Sequence, residues 1–159
     1  MMHTDPASLA TLGRAATFGA AFVSLFVAHQ LADHWVQTDA QACRKGAAGW
    51  AGRIACTWHV VTYTATALVV LVVVGAALGL TASPTRVAVA LAISAVSHWV
   101  IDRRWPLVWL AERTGSRKFV RMGAPREGHD DNPSLGTGAY ALDQSAHYLF
   151  LLIAALIIA

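Results

Sequence analysis

Charge is scarce in this chain. Only 13% of its 159 residues are Asp, Glu, Lys or Arg, against 56% hydrophobic. An ordinary soluble domain carries charge on about a quarter of its residues, so that class is excluded. The mean hydropathy of +0.49 fits a protein whose solvent is lipid. Cysteine is nearly absent: Cys43 and Cys56 stand alone. They form neither a thiolate zinc motif nor a disulfide framework. The formal charge of +3 does not come from a basic stripe, because the cations fall between apolar runs. That is a membrane pattern and not a nucleic-acid footprint, so no nucleic-acid partner is expected. Low-complexity tracts are missing too.

What is present is four apolar segments long enough to cross about 30 Å of hydrocarbon. They cover about 12–37, 54–80, 84–103 and 138–159. The expected fold is all-α: one transmembrane domain over 1–159, an integral membrane four-helix bundle. A partly helical cytoplasmic connector at about 104–137 would join helices three and four. Ser83-Pro84 is a good helix start, and Gly79 with Thr81-Ala82-Ser83 leaves room only for a tight turn. Arg14 and the apolar run 15–28 could also be read as a signal peptide. Phe26 would then sit at the −3 position of a poor cleavage site, and the polar face begins directly after, so a retained helix is expected. Residues 106–113 should form a short interfacial helix ending before Gly115, and 128–138 a loop that could act as a lid.

The loop cations set the orientation. Arg44, Lys45 and Arg53 lie between helices one and two. Arg103, Arg104, Arg113, Arg117, Lys118, Arg121 and Arg126 lie between three and four. Both connections should be cytoplasmic, with the termini outside. Trp35, Trp50, Trp58, Trp99, Trp105 and Trp109 all fall near those same ends, where an aromatic belt belongs.

Against this apolar background, polar residues recur in a pattern. His29/Asp33, His98/Asp102 and Asp143/His147 are each four residues apart, which places each pair on one helix face. Chance would give about one such pair in this composition. Ionisable groups inside a bilayer are expensive, so their presence points to function. With His59, these residues share one depth under the expected topology. His29, Asp33, His59, His98, Asp102, Asp143 and His147 are therefore the candidate metal ligands, with Gln37 as a further donor. An N/O set of this kind suits zinc, manganese or iron, as one or two divalent ions. Asp33, Asp102 and Asp143 are also the candidate catalytic carboxylates. Gln144 and Tyr63 could orient ligands, and Cys56 could either face the site or simply pack. His3 and His34 are expected to be solvated, and His129, Asp130 and Asp131 could close over the site. A metal-free core of hydrogen-bonded His–Asp pairs is the alternative.

The motif His29-x3-Asp33-x3-Gln37-Thr38, then Lys45, His59, His98-x2-Ile101-Asp102 and Leu142-Asp143-Gln144-x2-His147, resembles domain-of-unknown-function family 3307. That resemblance implies a small bacterial inner-membrane protein and no particular reaction. The scatter of His and Asp over membrane helices is also loosely similar to predicted membrane-bound metal-dependent hydrolases. The leading expectation is a membrane metalloenzyme, a hydrolase working at the cytoplasmic face. The basic connector could dock an anionic or phosphate-bearing lipid substrate. The alternatives are a metal-ion or proton transporter or sensor, which would need to form a homo-oligomer, and a structural adaptor.

Overall fold

Length and apolarity produce four long helices, and their connections fold them into a square. The computed structural model describes residues 5–126, 128 and 136–159. The helices are α1 (Pro6–Leu31), α2 (Asp39–Arg44), α3 (Gly49–Leu78), α4 (Pro84–Asp102), α5 (Trp105–Arg113), α6 (Arg117–Val120) and α7 (Gly138–Ile158), with a π-helical turn over Ala32–Val36. Four spans, Pro6–Val36, Gly49–Leu78, Pro84–Asp102 and Gly138–Ile158, are long and apolar enough to cross a membrane. Among the described residues α1 packs on α3 and α7, and α4 packs on α3 and α7. The diagonals α1–α4 and α3–α7 do not touch at the backbone. The fold is therefore an all-helical bundle with up-down-up-down connections.

Small residues let the helices approach. Ala21, Ala28, Ala67, Ala90, Ala154 and Ala155 are buried, with Leu25 and Leu151 filling the axis. That composition is what helix packing in lipid favours. The outer faces are apolar as well: Val23, Val69, Val72, Val73, Leu149 and Leu156 are exposed. In water such a surface would be unfavourable, and in a bilayer it is the expected contact.

Several local features depart from the sequence expectation. The second span begins at Gly49, five residues earlier than expected, and carries the indole of Trp50 outward. The loop before it holds α2, started by a capping box. Thr38 Oγ1 accepts from the Gln41 amide, and Gln41 Oε1 accepts from the Thr38 amide. Ser83 occupies the N-cap of α4 without making a side-chain cap, so Pro84 sets the start. Gly79 ends α3 in the left-handed region at φ +64, and the Leu80 amide donates back to Gly75. The expected interfacial helix is α5, followed by the four-residue α6. His3, His129, Asp130 and Asp131, and most of the expected lid, lie outside the described residues.

Candidate metal centre

The end of α1 is not a plain helix, and that places Asp33. In the π-helical turn the Gln37 amide donates to Ala32, five residues back, at 2.9 Å. The extra residue rotates the remainder of the turn, and such turns recur at functional sites. Asp33 Oδ1 comes within 3.3 Å of His59 Nε2, and Gln37 Nε2 within 3.3 Å of His59 Nδ1. From the opposite corner α4 supplies His98 and Asp102, one turn apart and both buried.

Three donor atoms form a nearly equilateral triangle. His59 Nε2 and His98 Nε2 are 3.0 Å apart, and Asp102 Oδ2 is 3.3 Å from the first and 3.2 Å from the second. Ligands at about 2.0–2.1 Å from a tetrahedral ion lie about 3.3 Å from one another. Asp33 Oδ1 stands beside the triangle, 3.6 Å from His98 Nε2 and 3.8 Å from His29 Nδ1. His29, Asp33 and His98 make a second group of metal-holding geometry that shares His98 with the first.

Gln144 Nε2 donates to Asp143 Oδ2 at 3.2 Å, and Gln144 Oε1 accepts from the Tyr148 hydroxyl at 3.0 Å. That fixes the amide, so His29 Nε2, 3.4 Å away, faces an acceptor and must carry the proton. The Nδ1 of a neutral His29 then presents a lone pair to the Asp33 carboxylate. His147 follows the same logic: Nδ1 donates to the Asp143 carbonyl at 2.9 Å, which leaves a lone pair on Nε2. His29 Nδ1, Asp33 Oδ1, His98 Nδ1, Asp102 Oδ2 and His147 Nε2 are all buried without a hydrogen-bond partner. The carboxylate oxygens approach ring nitrogens closely, but off hydrogen-bond geometry. Buried polar groups without partners are rare, and the lone pairs of His29 Nδ1 and Asp33 Oδ1, 3.8 Å apart, repel unless a cation lies between them.

The seven residues expected from the sequence do not stand equally near that point. His29, Asp33, His59, His98 and Asp102 come together. His147 joins them by ring contact, with centroids 4.8 Å from His29 and 4.4 Å from His98. Asp143 stands behind His147, 3.4 Å from its Nδ1, and reaches the cluster through His147 and Gln144. Tyr63 forms the floor: its ring stacks on His98 at 4.1 Å and its hydroxyl meets Ser94 Oγ at 2.6 Å. Cys56 Sγ donates to the Trp99 carbonyl at 3.6 Å. His34 is exposed at the surface.

Lys45 is the participant that topology reasoning passes over, since a loop lysine reads as an orientation signal. It is buried, and its Nζ lies 3.0 Å from Asp102 Oδ1, the oxygen turned away from the triangle. Its loop is pinned there. The Arg103 guanidinium donates to the Lys45 carbonyl at 2.6 Å and also to the Ala47 carbonyl. Gly52 makes this approach feasible, because a Cβ there would collide with the Ala47 carbonyl and crowd Arg103. Arg104 has φ +61 and ψ −47, and the Trp105 amide donates to the Arg103 carbonyl at 2.6 Å. That is a strained γ-turn, stored beside the cluster.

Residues 21–159, most of the chain, match the profile of a family described as "Protein of unknown function (DUF3307)". No curated protein and no solved structure matches the chain.

Proposed function

The chain belongs to the DUF3307 family, whose description names no reaction, so the chemistry rests on the site's own residues: we propose a membrane-embedded metal-dependent hydrolase working at the cytoplasmic face of the bacterial inner membrane. His59, His98 and Asp102 are the metal ligands, with Asp33 as a fourth ligand or as the base for a bound water. Zinc, manganese or iron suits these nitrogen and oxygen donors. Three protein ligands with an open side is the arrangement that makes a metal-bound water a nucleophile near neutral pH and polarises a phosphoryl or acyl oxygen. His29, His147 and Asp143 surround and orient the centre.

The observation that carries this reading is the triangle of His59 Nε2, His98 Nε2 and Asp102 Oδ2, with edges of 3.0–3.3 Å. A transport path is less well supported. Beyond Tyr63 and Ser94 the axis is filled by Leu25, Leu151, Ala154 and Ile158, and among the described residues no buried ionisable group continues it. The test is metal analysis of the purified protein beside His98→Ala and Asp102→Asn. Near-stoichiometric zinc, manganese or iron in the parent, and a loss of at least tenfold in affinity in each variant, is the expected result. A parent that neither retains metal nor gains thermal stability when zinc or manganese is added would leave the metal-free polar core as the better account.

The partner is membrane lipid, and the substrate an anionic or phosphate-bearing lipid held by the connector. Trp105, Trp109, Phe119 and Met122 are exposed on α5 and around α6, among Arg113, Arg117 and Lys118. This is the composition of a segment seated at the headgroup level. Replacing Arg117, Lys118 and Arg121 together with Ala should weaken binding to phosphatidylglycerol-containing membranes while metal content stays unchanged. Unchanged lipid binding would leave this basic run with an orientation role alone.

A further inference from the structure

Charge balance at the centre limits what else can enter it. Asp33 and Asp102 bring two negative charges to the triangle, and the Lys45 ammonium, 3.0 Å from Asp102, offsets one. One negative charge is left uncompensated. As ligands His59 and His98 are neutral, and His29 and His147 each have one ring nitrogen donating to an acceptor and the other buried without a partner, the pattern of a neutral ring. A single divalent ion therefore brings the site to one net positive charge, and a second would bring it to three. Buried uncompensated charge is strongly unfavourable, and three such charges far more so than one.

The ligand atoms agree. Asp33 and Asp102 both approach His98 through Nε2, at 3.6 and 3.2 Å. That nitrogen has one lone pair and serves one ion. The two metal-holding groups share His98, so filling both would need its other nitrogen, Nδ1, to lose its proton as well.

The remaining positive charge calls for an anion. Lys45 supplies a cation one carboxylate away from the triangle, in a loop that Arg103 holds in place. We propose, building on the metal-centre reading above, that the site holds one divalent ion and binds a single monoanionic oxygen ligand, a carboxylate or a phosphodiester, drawn to the metal by Lys45. Lys45 is thereby a specificity-determining residue for anionic ligands.

Cobalt(II) makes both halves measurable, because its visible absorption responds to its ligands. The protein, in nanodiscs of phosphatidylcholine, is loaded with cobalt and titrated with acetate and with dimethyl phosphate. The expected result is one cobalt per chain and a saturable spectral change with at least one of the two anions. Lys45→Gln, brought to one cobalt per chain by added cobalt, should weaken the anion by roughly tenfold, the loss of one nearby buried charge. Lys45→Arg should recover most of that affinity, which separates loss of charge from a disturbed loop. Two cobalt ions per chain, no spectral response to either anion, or equal anion affinity in Lys45→Gln would each overturn the proposal while leaving the metal centre standing. Absence of cobalt uptake would instead remove the metal centre and this proposal together. Where the anion response is seen, discs of phosphatidylglycerol without added anion identify its source. A spectral change there assigns the ligand to a lipid headgroup, and its absence assigns it to a soluble anion.

Discussion

Tyr63 stands where the polar and apolar halves of the bundle meet, and it shows how much one side chain can separate. Its ring covers His98, its hydroxyl is satisfied by Ser94, and the apolar core continues on the far side. The ring and the hydroxyl therefore do different work. Tyr63→Phe keeps the stacking and removes a buried hydrogen bond, which should lower stability by about 1 kcal/mol. Metal content should not change, because the phenol oxygen is bonded to Ser94. Thermal unfolding and metal analysis of the same preparation check both halves, and loss of metal in Tyr63→Phe would mean that the hydroxyl belongs to the centre. Gln144 makes the contrasting case. Its amide fixes which His29 nitrogen is protonated, so Gln144→Leu should weaken metal binding without touching a ligand. Unaltered affinity in that variant would mean that the amide does not set the His29 tautomer.

At the scale of the element, the junctions hold the site and the helix interiors provide the frame. The π-helical turn aims Asp33, the Arg103 fork fixes the Lys45 loop, and Gly52 lets that loop approach α3. Gly52→Ala places a methyl against the Ala47 carbonyl. It should destabilise the protein by about 1–3 kcal/mol and loosen Lys45, since the loop rather than a flexible tip must move. A melting temperature equal to the parent's would mean that the loop is not pinned as described. Arg104→Gly should act in the opposite direction, since relief of the strained γ-turn, about 1–3 kcal/mol, exceeds the roughly 0.5–1 kcal/mol entropy cost of glycine; a melting temperature below the parent's would refute this. This scale also marks what could be read from the sequence. The spans were legible because length and apolarity are local properties, and the His–Asp pairs because a four-residue offset is one helical turn. The junctions were not. Nothing in Ala32–Val36 announces a π-helical turn, which forms where α1 must present both Asp33 and Gln37 to His59. Gly49, Gly52 and Arg53 read as loop residues, yet α3 begins among them because Gly52 is needed for contact and Trp50 and Arg53 face outward. Lys45 read as a loop cation and as one residue of the family motif, with nothing to show its burial, which depends on Asp102, 57 positions further along the chain.

At the scale of the whole molecule, the position of the centre at one end of the bundle turns orientation into a question of function. Trp35, Trp50, Trp58, Trp105 and Trp109 are all exposed around the end that holds the His–Asp cluster. Indoles concentrate at the membrane–water boundary, so this end lies at an interface and not at the bilayer midplane. The cations of the loops before α3 and after α4 lie at the same end, whereas the turn from Gly79 to Ser83 at the other end is followed by Arg86 alone. Under the orientation proposed above, positive-inside bias would direct the cluster to the cytoplasm, from which its ion and anionic ligand would be drawn. Cysteine labelling decides this. With Cys43 and Cys56 replaced by Ser, a cysteine introduced at Ala82 should react with an impermeant thiol reagent in intact cells, and one at Ala47 only after the cells are opened. Cys43 has to be removed because it is exposed near the Ala47 end, and Cys56 because it would label once the protein unfolds. Reaction at Ala47 from outside would reverse the orientation. The centre would then face the opposite compartment, with its geometry and charge balance unchanged, and the pool of metal and anion available to it would be different.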